Sequence, residues 1–254
     1  MDVELIIDDA QVTAAAGASV LDAARRAGVD IPALCHHEAV PAIASCRLCL
    51  MEVRRPGRDS AQLTTSCDYA VSAGLVVVTD SPRIRKHRAM NLQLLLRRAP
   101  DAPVLKRLAA QLGVTEPLFT PVTGEPLPDC ILCELCVRVC SALGYNALAA
   151  IGRGDHKHIG PPFGQAAAID CVGCGSCVEA CPTACIAMED TATTRTIWGR
   201  TFDLLACERC GRPITTKVHS ATTDAEIHLK EKVDGLCDVC KRRTVSERLA
   251  STGR

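Results

Sequence analysis

The spacing C-x2-C-x2-C-x3-C occurs twice in this chain, as Cys130, Cys133, Cys136, Cys140 and as Cys171, Cys174, Cys177, Cys181, the second copy followed by Pro182. Three cysteines at i, i+3 and i+6 fit a tight turn whose thiolates converge on one cubane, and the fourth is expected to start a helix that points away to the neighbouring cube. The pattern therefore predicts two 4Fe-4S clusters with crossed ligation. Cys130, Cys133, Cys136 and Cys181 hold one; Cys140, Cys171, Cys174 and Cys177 hold the other. Zinc knuckles or a disulfide framework are the competing readings. Zinc needs only paired C-x2-C and leaves the third and fourth positions of each copy unexplained.

Composition limits the surroundings of these cysteines. The chain has 254 residues, 48% of them hydrophobic but only 2% aromatic, so its cores must be aliphatic. Lys plus Arg and Asp plus Glu both number 29, which gives no bulk charge signal for nucleic acid or an anionic membrane. Seventeen cysteines in an exported chain would read as disulfides, but Met1-Asp2-Val3-Glu4 has neither the basic nor the apolar region of an export signal. No apolar run approaches the ~18 residues of a membrane span. The expectation is a soluble cytoplasmic protein whose cysteines are metal ligands.

Residues 1–80 read as a small mixed domain. Val3 to Ile7 and Gln11 to Ala14 are strand-like around Asp8-Asp9, a hairpin by composition. Ser19 can cap a helix through Ala27, with Asp22 completing a capping box and Gly28 ending the turn. A strand pair divided by Pro56-Gly57 and a further strand from Leu75 to Val78 follow. Cys35, Cys46, Cys49 and Cys67 form C-x10-C-x2-C-x17-C, sufficient for a 2Fe-2S cluster wrapped by the loop from Cys35 to Cys49. Zinc fits the count but not the spacing, because Cys35 and Cys67 stand alone. His36 and His37 would suit a Rieske-type role, but four cysteines already complete the ligand set.

Leu34-Cys35 and Ser45-Cys46-Arg47-Leu48-Cys49-Leu50-Met51-Glu52-Val53 resemble the N-terminal 2Fe-2S domain of the electron-transfer subunits of NAD-linked hydrogenases, formate dehydrogenases and respiratory complex I. The resemblance covers about residues 1–190. It implies a plant-ferredoxin-like β-grasp domain and an iron-sulfur subunit akin to the diaphorase-type small subunit of those enzymes, or to the N-terminal region of the large iron-sulfur subunit of complex I.

Residues 81–128 read as a helical connector and Pro-rich linker, and the stretch 81–113 departs from that family. Ser81-Pro82 starts a helix that continues to Arg98, and Val104 to Leu112 before Gly113 reads as a second. In the family a His-Pro and a cysteine-rich loop follow the first helix and hold a further 4Fe-4S cluster through one histidine and three cysteines. Here Ala99-Pro100-Asp101-Ala102-Pro103 stands in that place, and no cysteine lies between Cys67 and Cys130, so that cluster is expected to be absent. The basic run Arg83, Arg85, Lys86, His87, Arg88 reads as a solvated helix face. Pro117, Pro121, Gly124, Pro126 and Pro128 mark a linker.

Residues 129–190 form the expected double-cluster domain. Its insert, with Gly144-Tyr145-Asn146-Ala147-Leu148, Gly152-Arg153-Gly154 and Pro161-Pro162-Phe163-Gly164, resembles that of the hydrogenase and formate dehydrogenase relatives. Gly152 and Gly154 lack the third glycine of a dinucleotide loop, and His156 and His158 read as solvated. Cys185 is the odd cysteine, read as a buried inert thiol. In residues 191–254, Cys207-x2-Cys210 and Cys237-x2-Cys240 make a four-thiolate site in a zinc-ribbon-like module. Zinc is the reading; a rubredoxin-like iron or another cluster uses the same ligands. His219 and His228 are surplus to the set.

The expected fold class is α+β, in the order 2Fe-2S domain, helical connector, double 4Fe-4S domain and C-terminal metal module. No catalytic residue is identified. The expected function is an electron relay in a multisubunit oxidoreductase, between a flavin/NAD(P)H-binding subunit and a catalytic hydrogenase or formate dehydrogenase subunit. A relay in a hydrogenase or dehydrogenase complex that uses no NAD, and a redox-sensing iron-sulfur adaptor, are the alternatives.

Overall fold

The computed structural model describes residues 1–122, 127–164, 167–226 and 235–252. His228, Gly124 and Pro126 lie outside the described residues. In β1 (Asp2–Ile7) Leu5 and Ile7 point into the core while Ile6 is exposed, the alternation of a half-buried strand. β1 turns at Asp8-Asp9, both left-handed, into antiparallel β2 (Ala10–Ala15). Asx residues tolerate that turn, and the Asp8 carboxylate also accepts the Thr79 amide at 2.7 Å. β3 (Leu50–Arg54), β4 (Gln62–Thr65) and β5 (Val76–Val78) complete a five-stranded sheet in the order β2-β1-β5-β3-β4, with β5 parallel to β1.

Helix α1 (Val20–Arg26) crosses this sheet and buries Val20, Leu21, Ala23 and Ala24 against Leu5, Ile7, Met51 and Val77. Each of the larger aliphatic side chains contributes about 1.5–3 kcal/mol on burial. Ser19 caps the helix as expected, accepting the Asp22 amide at 3.0 Å.

Helix α2 (Pro82–Arg98) is capped by Ser81, and α3 (Pro103–Leu112) ends at left-handed Gly113. Buried Ala99 and Ala102 let the two helices turn tightly. The helices carry a second core in which Leu92, Ala99 and Leu105 meet Leu34, Leu48, Ile131 and Leu135. This core joins the loop bearing Cys35 and Cys46 to the loop bearing Cys133 in one buried body. Arg83, Arg85, Lys86 and His87 are exposed, as a solvated basic face requires, and Arg88 alone departs from that reading. It is buried, and its guanidinium donates to the carbonyls of Leu48 at 2.9 Å and Leu50 at 2.6 Å.

Beyond it come α4 (Leu135–Ala142), the two-stranded β6 (Ala149–Ile151) with β7 (His158–Gly160), and the short α5 (Ser176–Glu179). β8 (Met188–Asp190), β9 (Thr194–Ile197), β10 (Arg200–Ala206) and β11 (Pro213–Thr216) form an antiparallel sheet in the order β11-β10-β9-β8. That sheet joins β8, which ends at Asp190, to strands that all begin after it. Helices α6 (Lys217–Glu226) and α7 (Asp238–Thr252) follow. Among the described residues, no helix is long and apolar enough to cross a membrane.

Candidate iron-sulfur and metal centres

Cys35, Cys46, Cys49 and Cys67 are all buried. Ala44 and Arg47 are left-handed although neither is glycine, and such residues curl a loop so that its amides face inward. The Cys46 amide donates to Cys35 Sγ at 3.4 Å. The four sulfurs associate in two pairs. A hydrogen bond from Cys35 pushes the Cys46 thiol down to about 6, against the opposing effect of burial. A hydrogen bond from Cys67 likewise takes Cys49 down to about 7. The four thiolates are the donor set that would hold a two-iron cluster.

Beside this site His36 faces Asp22 at 3.1 Å, which anchors the ligand loop to the first turn of α1. His36 Nδ1 and Arg138 Nε are the buried side-chain nitrogens without a hydrogen-bond partner among the described residues. Both belong to residues that adjoin Cys35: His36 follows it in sequence, and Arg138 Nη2 donates to its carbonyl at 2.7 Å. Arg138 Nε is an orphaned donor, and beside a thiol nest it fits a sulfur-rich acceptor.

Cys130, Cys133, Cys136 and Cys181 line one small cavity with Cys185, whereas Cys140, Cys171, Cys174 and Cys177 line another. Each therefore combines three cysteines of one copy of the motif with the fourth of the other. Burial pushes Cys133 up to about 12 and Cys177 up to about 11. Buried thiols of this kind release their protons to a bound cation, so both donor sets fit an iron cluster. The helix geometry differs from expectation. α4 starts before Cys136 and carries Cys140 in its last turns, while Cys181 lies after α5 has ended. Left-handed Glu134 and Gly175 start the helices one turn earlier than expected, so the fourth cysteine is set at the far end of each helix rather than at its beginning.

Cys185 is half-buried, and its sulfur lies 3.6 Å from that of Cys181. Hydrogen bonding to Cys185 takes Cys130 down to about 7 and Cys181 down to about 5. The thiol read as inert is thus part of the sulfur lining of the first of these cavities.

In the last module, the sulfurs of Cys207, Cys210, Cys237 and Cys240 all lie within 4.8 Å of one another. Cys210 and Cys237 are 3.7 Å apart. A tetrahedral ion with Zn–S of about 2.3 Å sets its sulfurs about 3.8 Å apart. The donor set therefore fits one ion. The Cys237 amide also donates to Cys207 Sγ at 3.3 Å, orienting one knuckle against the other. His219 stands outside the set: its Nδ1 meets Thr215 Oγ1 at 2.9 Å and burial lowers its pKa.

Arg138 and Trp198 are the residues that sequence reasoning passed over. Arg138 Nη2 donates to Cys133 O at 3.2 Å as well as to Cys35 O. Trp198 Nε1 donates to Cys177 Sγ at 3.4 Å. The position of Arg138 between Cys136 and Cys140 was a signal for the first; nothing local marks the second.

A ferredoxin-like N-terminal sheet followed by cysteine-rich modules defines an iron-sulfur protein. Residues 1–82 match the 2Fe-2S iron-sulfur cluster binding domain. The chain is 30% identical over 240 residues to the NADPH-Fe(3+) oxidoreductase subunit alpha of Geobacter sulfurreducens (strain DL-1 / KN400), covering 86% of this chain and 28% of the relative. It is similar to the mitochondrial NADH-ubiquinone oxidoreductase 78 kDa subunit of Candida albicans, at 30% identity over 221 residues, which is 78% of this chain and 30% of that relative. Among solved structures it resembles a chain of an NAD+-reducing [NiFe]-hydrogenase in the H2-reduced state, with a TM-score of 0.62, 28% identity, and coverage of 72% of this chain and 86% of that one. The chain spans less than a third of the length of these two curated relatives. The resemblance carried by the cysteine loops is therefore matched over most of the chain.

Proposed function

We propose that this chain is the electron-relay iron-sulfur subunit of a cytoplasmic multisubunit oxidoreductase. It passes single electrons between a flavin/NAD(P)H-binding subunit and a catalytic subunit of hydrogenase or dehydrogenase type. In this reading residues 1–80 hold a 2Fe-2S cluster on Cys35, Cys46, Cys49 and Cys67, and residues 81–128 connect them to the rest. Residues 129–190 hold two 4Fe-4S clusters: one on Cys130, Cys133, Cys136 and Cys181, the other on Cys140, Cys171, Cys174 and Cys177. Residues 191–254 hold zinc on Cys207, Cys210, Cys237 and Cys240.

The observation that carries this reading is the continuity of the first two sites. Cys35, Cys46 and Cys133 share one buried core, and Arg138 spans their loops. Clusters of these types exchange one electron each at potentials that reach about −400 mV, the range of H2, formate and NADH. The protein's part is to hold the ligand loops together and keep water from them. Leu48, Leu92, Leu105 and Leu135 fill the space between the loops with aliphatic side chains, and Arg88 fastens the strand that follows Cys49. Relatives named as NADPH-Fe(3+) and NADH-ubiquinone oxidoreductase subunits support a nucleotide-linked partner.

The test is anaerobic native purification with metal analysis. The reading expects co-purification with a flavoprotein and a catalytic oxidoreductase subunit, and about ten irons and one zinc per chain. A chain that purifies alone with no electron-transfer partner, or with only about two irons, contradicts it.

A further inference from the structure

Trp198 is the chain's single tryptophan, and it occupies a position that disfavours it. β9 and β10 pair Ile197 with Arg200, leaving Trp198-Gly199 as a two-residue hairpin turn. Both turn residues are left-handed, with φ of 50° at Trp198 and 71° at Gly199. Such turns favour Asn, Asp and Gly; a bulky residue there is strained, and strain of this kind is held in place by its surroundings.

Those surroundings are the ligand loop of the second four-cysteine set. The Ala168 amide donates to Trp198 O at 3.1 Å. Arg200 Nη1 donates to Cys171 O at 2.7 Å, and Arg195 Nη1 donates to Gly173 O at 3.0 Å. Thr216 Oγ1 donates to Val172 O. A Cβ at Gly173, itself left-handed, would lie 2.8 Å from side-chain atoms of both Phe202 and Thr216, so only glycine lets the sheet approach this closely. The C-terminal sheet is thus moulded onto residues 171–174, and its strained turn delivers the indole N–H to within 3.4 Å of Cys177 Sγ.

We propose that Trp198 is a positioning residue of the second cubane site, whose indole N–H hydrogen bond to Cys177 Sγ raises the reduction potential of that site above the value the cysteines alone would give. The inference rests on the double-cubane reading above. A hydrogen bond to a ligating sulfur favours the more negative, reduced form, and hydrogen bonds to sulfur are among the levers that set cluster potentials. It also gives the C-terminal module a task beyond its own metal: it covers one cubane and tunes it. Without the donor, the reduced-to-oxidised ratio at fixed ambient potential should fall about fivefold, equal to about 40 mV for a one-electron couple at 59 mV per tenfold change.

The experiment uses the full chain, anaerobically isolated, with its only tryptophan labelled with 15N in the indole ring. Pulsed EPR of the reduced protein should show 15N hyperfine coupling on one cubane signal and none on the 2Fe-2S signal. Potentiometry of Trp198→Phe should show one cubane potential lowered and the other centres unchanged. A labelled chain carrying both cubanes without 15N coupling overturns the inference and leaves the relay reading standing; so does an unchanged potential in Trp198→Phe. Iron content too low for two cubanes, with no second cubane signal in the unsubstituted protein, overturns the reading of the site and the inference with it.

Discussion

Arg138 donates from Nη2 to the backbone carbonyl of Cys35 at 2.7 Å, across 103 positions of sequence. The same nitrogen reaches Cys133 O at 3.2 Å, Nη1 reaches Pro41 O at 2.6 Å, and Ser45 Oγ donates to Leu132 O at 3.1 Å. A single planar guanidinium therefore fixes the distance between two cysteine loops that belong to different parts of the chain. Arg138→Gln should keep the metal content while loosening this junction. Charge-assisted bonds of this type contribute about 1.5–3 kcal/mol, so thermal unfolding of the holoprotein should come at lower temperature. Electron transfer from the 2Fe-2S centre to the cubanes should slow about tenfold in flash-reduction kinetics, since orientation and distance are no longer held. An unchanged rate would separate the junction from the electron path.

Arg88 should behave as a structural residue. Replacing it with Met leaves the carbonyls of Leu48 and Leu50 buried without their donor, which costs about 2–4 kcal/mol. Because both carbonyls flank Cys49, the loss should appear as faster release of the 2Fe-2S absorbance on heating while the cubane signals persist longer.

The Asp22 carboxyl is held below its ordinary 3.8: burial opposes this, and the bonds to Ser19 and His36 outweigh it. A folded-state value lower than the unfolded one adds stability above pH 3.8, and that stability is lost as pH falls through the folded value. Asp22 is 37% exposed, so the effect is screened to about 0.5 kcal/mol. Asp22→Asn should therefore lower the unfolding temperature slightly between pH 5 and 7, a gap that closes below pH 3.8. A gap independent of pH would remove the ionised carboxylate from the account.

Cys237→Ser should release the zinc and leave the iron count unchanged. With its knuckles free, the segment around β11 should become accessible to limited proteolysis, as metal binding supplies folding free energy in such modules. About fourteen irons and no zinc in the unsubstituted chain would instead make this site a further cluster.

Much of the framework was legible because it is local. Ser19 and Ser81 announce their helices, Asp8-Asp9 announces its hairpin, and the cysteine spacings group the thiols that line each cavity. The partition of cysteines between two cavities also follows from spacing alone. Long-range partners were not legible. Arg88 looked like part of a basic surface run, yet it lies four residues from both Ile84 and Leu92, and all three are buried on one helical face; the apolar period was the better guide than the charge. Trp198 and Arg138 act on residues 21 and 103 positions away, beyond any local pattern. The placement of the fourth cysteines failed for a related reason: left-handed Glu134 and Gly175 start the helices early, and no cap-forming side chain marks either position.

Rapid freeze-quench EPR of the intact, anaerobically isolated complex tests the central claim most directly. After mixing with reduced pyridine nucleotide, the account predicts that the 2Fe-2S signal and both cubane signals rise within the first turnover. Cubane signals that stay oxidised while the complex turns over would contradict a relay through this chain.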